Sequence, residues 1–188
     1  MNRRDALTRV AVILGGSVIG ADFFLNGCKA TSGKIDGLFT QEDILLFDAI
    51  AETIIPATDT PGAKAAQVGS FMSLMVNDCY TPDQQKVFTK GMAALEDACQ
   101  IMNGRSFLDS NDSQRFALLS MLDKEQKDYT AHKKDGMPSH YFRMMKELTL
   151  LGYFTSKIGC TEALRYVAVP GRYDGDIPYK RGDKAWAT

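Results

Sequence analysis

The sequence is short of what metal, haem and nucleotide chemistry require of a chain. It has no Cys-x-x-Cys pair, no Cys-x-x-Cys-His haem attachment, no His-Glu-x-x-His and no phosphate-binding glycine loop, so no cofactor finds a familiar spacing. The segment Gly15-Gly16-Ser17-Val18-Ile19-Gly20 lacks the Gly-x-Gly-x-x-Gly order and follows no strand. Only two histidines occur, His132 and His140, and with no Cys or carboxylate beside them at ligand spacing they read as surface or structural groups. No nucleophile with a base and an orienting group is legible among the Ser, Cys and His positions, which argues against a self-sufficient small hydrolase. An excess of one charge is also missing. Basic residues number 22 and acidic ones 23, a formal net charge of −1, which gives no basic stripe for nucleic acid. Beyond the N-terminal stretch there is no run of about 18 apolar residues to cross a membrane, and no internal repeat. What is present is ordinary: 45% hydrophobic and 24% charged residues in a chain of 188, a size and composition that suit one domain with one core.

The first 27 residues read as an address. Arg3 and Arg4 precede a mildly apolar stretch from Val10 to Leu25 that is diluted by Gly15, Gly16, Gly20 and Asp22, a pattern of an export signal. The Arg pair with Leu7 resembles a twin-arginine signal, although Ala6 and Thr8 depart from its usual residues, and general secretion remains the other route. Leu25-Asn26-Gly27-Cys28 resembles a bacterial lipobox, with Cys28 as the lipidated residue; the competing reading is a membrane-anchoring helix with an incidental cysteine. Residues 28–39 then serve as a lipid-anchored tether, rich in small and polar residues.

From Thr40 the apolar spacing is helical. Thr40 caps a first helix over about 41–55, with Ile44, Phe47, Ile50, Ala51 and Ile54 on one face and Pro56 as its stop. An ordered loop with a Pro61-Gly62 turn leads to a second helix carrying Val68, Phe71, Met72, Met75 and Val76. Thr81-Pro82 opens a third, with Phe88, Met92, Leu95, Cys99 and Met102 inward and an end at Asn103-Gly104. Ser110 to Ser113 caps a fourth with Phe116, Leu119 and Leu122 inward, and the polar run 123–137 reads as its fraying end plus a solvated connection. Pro138-Ser139 launches a fifth with Phe142, Met145, Leu148 and Leu151 inward; Gly152 is placed to bend it, and the apolar pattern continues to Val167. The fold expected is all-α: a compact bundle of about five helices over 40–168, then an irregular, extended segment over 169–188. Of the three cysteines after Cys28, Cys79 and Cys99 stand on the order of 25 Å apart along the third helix, too far for a disulfide. Cys99 falls on the buried stripe, and a bridge from Cys160 to either stays open.

Four blocks taken in order resemble the gluconate 2-dehydrogenase subunit 3 family: 51–56 (Ala-Glu-Thr-Ile-Ile-Pro), 58–63 (Thr-Asp-Thr-Pro-Gly-Ala), 148–156 (Leu-Thr-Leu-Leu-Gly-Tyr-Phe-Thr-Ser) and Val169-Pro170-Gly171. That resemblance implies a non-catalytic small subunit, with no cofactor in this chain, that pairs with a large FAD-containing flavoprotein of the glucose-methanol-choline type. It implies a haem-bearing cytochrome c as a further partner and electron acceptor. It also implies export of the folded pair on this chain's signal, to the periplasmic face of a bacterial membrane. A free-standing lipid-anchored binding protein is the alternative. The residues proposed to meet the partner are Pro61, Gly62, Gly152, Tyr153, Pro170 and Gly171, for which plain turn geometry and helix packing are equal rivals. Tyr173, Tyr179 and Trp186 join them, since aromatic anchors set among Gly, Pro and charges suit a clasp on another surface. The rival there is a tail folded back over the fifth helix.

Overall fold

The computed structural model of the chain describes residues 37–173 and 175–187. Helices occupy most of it: α1 Gln41–Ile54, α2 Val68–Cys79, α3 Pro82–Asn103, α4 Asp112–His132 and α5 Tyr141–Thr155. A single π-type turn, Gly159–Ala163, follows α5, and two-residue strands β1 Arg165–Tyr166 and β2 Trp186–Ala187 pair in parallel. The all-α architecture expected from the apolar spacing is the one adopted.

The helices start where a side chain can satisfy N–H groups that have no partner within the helix. At α1 the Thr40 hydroxyl accepts from the Asp43 N–H (3.2 Å) while the Asp43 carboxylate accepts from the Thr40 N–H (2.8 Å), and Glu42 and Asp43 in the first turn complement the helix dipole. Thr81 with Gln84 repeats this reciprocal cap at α3, where Pro82 occupies the first turn, and Asn111 with Gln114 repeats it at α4. His140 caps α5, its Nδ1 accepting from the Phe142 N–H at 3.2 Å. The α3 end falls at Gly104 in the left-handed conformation, φ +67°, a geometry that favours glycine.

Packing places α5 at the centre, in contact with each of the other four helices. It buries residues on several sides, among them Phe142, Met145, Leu148, Thr149 and Tyr153, and the Thr149 hydroxyl donates to the Met145 carbonyl at 2.8 Å. At the α1/α3 side Phe39, Phe47 and Phe88 meet edge to face with ring centres 5.1, 5.6 and 6.0 Å apart, a geometry that contributes about 0.5–1.5 kcal/mol per pair beyond burial. Phe39, which the sequence reading placed at the end of the tether, is only 2% exposed and belongs to this core.

Several sequence expectations are corrected. Residues 123–132 do not fray: α4 continues through His132, because Asp123 pairs with Lys127 (2.7 Å) and with Lys146 of α5 (2.6 Å) and Gln126 turns inward, and only 133–137 form the exposed connection. The buried stripe of α4 is Leu118, Leu119, Leu122 and Gln126; at about 100° per residue Phe116 lies past its edge and is 64% exposed. Leu151 and Met102 are likewise outside, and at the level of Leu151 the inward residues are Gly152 and Tyr153. Gly152 does not interrupt α5, which runs on through Thr155. The three described cysteines are all free thiols, so neither Cys160 bridge forms.

Candidate partner interface

Three of the four sequence blocks meet in space. The first block supplies Glu52 on the last turns of α1, whose carboxylate accepts from the N–H of Ala57 (3.0 Å) and of Lys64 (2.8 Å), so one side chain holds both ends of the loop that follows. The second block is that loop. Gly62 runs directly beneath the Glu52 carboxylate, and a Cβ there would collide with it and with the Ala57 N–H. The third block closes the loop from α5: the Tyr153 hydroxyl donates to the Pro61 carbonyl at 2.7 Å across 92 residues of sequence. Next to it Gly152 lets the Phe71 ring of α2 approach, at 2.6 Å from where a Cβ would be. The junction is locked further by Asp48 of α1, which accepts from the Gly69 N–H at 2.9 Å at the start of α2. Burial raises the Asp48 pKa above its ordinary value, opposed by that N–H and by Lys64.

These positions differ in what they offer a partner. Gly62, Gly152 and Tyr153 are buried, Tyr153 to 2%, so the reading of them as contact residues gives way to internal packing; Pro61 is half-buried. What the junction presents outward is the loop 56–60, in the shape that Glu52 and Tyr153 hold.

The fourth block lies apart, in the tail. After α5 the chain reverses through the π-type turn, where the Leu164 N–H bonds the Gly159 carbonyl at 2.9 Å, and β1 then pairs with β2 through Arg165 N–H to Ala185 O (2.8 Å) and Val167 N–H to Ala187 O (3.0 Å). The Arg165 guanidinium sits 4.5 Å from the centre of the Trp186 ring, a cation–π contact, and the Lys184 ammonium meets the Glu162 carbonyl. The tail therefore folds back on the segment just after α5, yet none of its described residues joins the core. Pro170 and Gly171 are exposed, and Tyr173, Tyr179 and Trp186 are 97%, 76% and 50% exposed. Between them lies a mainly apolar concavity of about 740 Å³ lined by Val167, Pro170, Arg172, Tyr173, Ile177, Pro178 and Trp186. Arg3, Arg4 and Cys28 lie outside the described residues.

Among the described residues no group of three His, Cys, Asp or Glu side chains is placed to hold a metal. His140 is a helix cap with Glu125 at 3.5 Å from its Nε2, and His132 bonds the Asp128 carbonyl at 2.8 Å. The Cys99 thiol is buried against the Ser110 hydroxyl at 3.3 Å. The arrangement is suited to holding loop and tail shapes. Sequence reasoning missed the Glu52 clamp, because nothing in a helical spacing shows which N–H groups a carboxylate will meet, and it missed Phe116 as a surface group because it fits the apolar period.

Residues 41–171 match the family model described as Gluconate 2-dehydrogenase subunit 3, a span from the first residue of α1 to the Pro170-Gly171 turn that takes in all four blocks. No curated protein and no solved structure matches the chain.

Proposed function

The chain belongs to the gluconate 2-dehydrogenase subunit 3 family, and from that premise we propose that it is the non-catalytic small subunit of an exported FAD-dependent dehydrogenase of sugars, sugar acids or glycosides. In this reading the flavoprotein brings FAD and the substrate site, a cytochrome c partner brings haem, and this chain supplies the export signal at Arg3-Arg4, the lipid anchor at Cys28 and a binding surface. The twin-arginine route carries the folded pair to the periplasmic side of the membrane, where the anchor holds it.

The observation that carries the partner role is the tail. Tyr173 and Trp186, aromatic side chains that a monomer gains nothing by exposing, line one apolar concavity, the anchor-and-pocket composition on which interfaces concentrate their affinity. The experiment is truncation after Val167 in cells that also express the flavoprotein of the neighbouring reading frame. A truncated chain that keeps its helical circular dichroism and melting transition but no longer co-purifies with FAD-containing protein supports the reading; undiminished co-purification removes the tail from the interface. A second reading has one observation in its favour: about 740 Å³ also falls within the size range of small-ligand pockets, which suits a free-standing lipid-anchored binding protein. A transporter or receptor in the neighbouring reading frame, in place of a signal-less flavoprotein, favours that second reading.

A further inference from the structure

Phe116 is the most exposed phenylalanine of the described residues, and it stands between two depressions on the side of the bundle. One of about 330 Å³ lies toward the end of α1, with Pro56, Arg115 and the carboxylates of Glu52 and Asp112 in its wall. The other, of about 360 Å³, follows the junction of α1, α4 and α5, where the partly exposed Ile54 lies over the buried Leu119 and Phe142. Thr53 and Phe116 line both, so the two form one interrupted groove with an aromatic ridge.

Its charge is one-sided at the α5 end. Lys124, Lys127 and Lys146 surround the second depression and Asp123 is its single carboxylate. That carboxylate is shared between Lys127 and Lys146, whereas Lys124 makes no ion pair among the described residues. A purely apolar occupant would cover Lys124 without pairing it, and a basic one would be repelled. An apolar side chain beside a carboxylate satisfies both surfaces. The depressions are also narrow: they receive the side chains of a short segment, while a stable second copy would need a complementary patch on the order of 800 Å² on each side.

We propose that the α5 end of this groove receives a short acidic segment of the catalytic flavoprotein, with an apolar residue against Phe116 and Ile54 and a carboxylate on Lys124. The inference rests on the subunit reading above but on a surface separate from the tail. Its test uses the full chain and the purified flavoprotein, with Phe116→Ala and Lys124→Glu. Both side chains face solvent, so both variants keep the melting transition of the parent. Each weakens binding about tenfold or more, and the Lys124→Glu loss shrinks as salt is raised, as a screened charge contact requires, while the Phe116→Ala loss does not. Parental affinity in both variants overturns the groove alone, leaving the subunit reading intact. A parent chain that fails to bind the flavoprotein overturns the subunit reading and the groove with it. Hydrogen-exchange protection of 116–124 in the chain without flavoprotein would assign the groove instead to a second copy if it is lost on dilution, or to residues 1–36 if it is lost on their deletion, and either result overturns the proposal.

Discussion

Glu52 and Asp123 show how far single carboxylates organise this chain. Glu52 accepts two backbone N–H groups at opposite ends of the loop after α1, and a bond to a charged group contributes about 1.5–3 kcal/mol at most, less where water reaches it. In Glu52→Gln one amide oxygen remains to accept and the NH₂ opposes the other N–H, so a loss of about 1 kcal/mol is expected in urea unfolding; an unchanged midpoint would dismiss the clamp. Gly62→Ala should cost more, because the added methyl lands on the carboxylate and on Ala57. Asp123 makes a pH statement. Hydrogen bonds from Lys127 and Lys146 lower its pKa to about 2, against a smaller opposing effect of burial. A folded pKa below the unfolded one means that its stabilisation is complete above about pH 4 and is lost as pH falls toward 2. Partial solvent exposure holds the contribution to about 1 kcal/mol. Asp123→Asn should remove that part of the acid sensitivity, and parallel stability curves for parent and variant between pH 5 and 2 would show that the pairs contribute nothing.

At the scale of elements, the starts of α1, α3 and α4 were legible because each is written locally, as a Thr or Asn followed three residues later by Asp or Gln. The second half of α4 was not. Its residues look solvated one by one, and only the arrival of Lys146 from α5 at Asp123 explains why they stay helical. The outward turn of Phe116 was hidden for a related reason: helical period fixes a stripe's spacing but not its centre, which the neighbouring helices decide. In the candidate site the sequence blocks left the roles of their residues open, since Tyr153 and Pro61 are joined by a bond no local pattern records. That bond has a direct consequence for loop 56–67. Tyr153→Phe keeps the buried ring and deletes only the hydroxyl, leaving the Pro61 carbonyl without this donor. A loss of about 1 kcal/mol is expected, together with faster hydrogen exchange at Ala63, whose N–H bonds the Ile55 carbonyl at 3.0 Å. Exchange unchanged in the loop would mean that Glu52 alone sets its shape.

For the molecule as a whole, the proposed export and anchoring are separable from folding. No helix among the described residues is long and apolar enough to cross a membrane, and the helical domain packs around a core that begins at Phe39, eleven residues after the proposed lipid site at Cys28. A Cys28→Ser chain is therefore expected to fold and to bind its flavoprotein while leaving the membrane fraction. Multiple acyl chains are needed for this contrast, since a single chain binds membranes only marginally. The Arg pair is the sharper test, because its effect must reach a second protein. If the flavoprotein has no signal of its own and crosses the membrane only in company, Arg3→Lys with Arg4→Lys leaves both proteins, and the FAD-dependent sugar oxidation, on the cytoplasmic side. Cys28→Ser instead leaves both outside but released into the soluble fraction. Fractionation of cells carrying each variant, with flavin content and dehydrogenase activity followed in every fraction, separates the two steps. Periplasmic flavoprotein in the Arg-pair variant would show that the partner travels independently, which overturns the proposed carrier role and leaves the proposed anchor and binding surface to be judged by the Cys28→Ser variant.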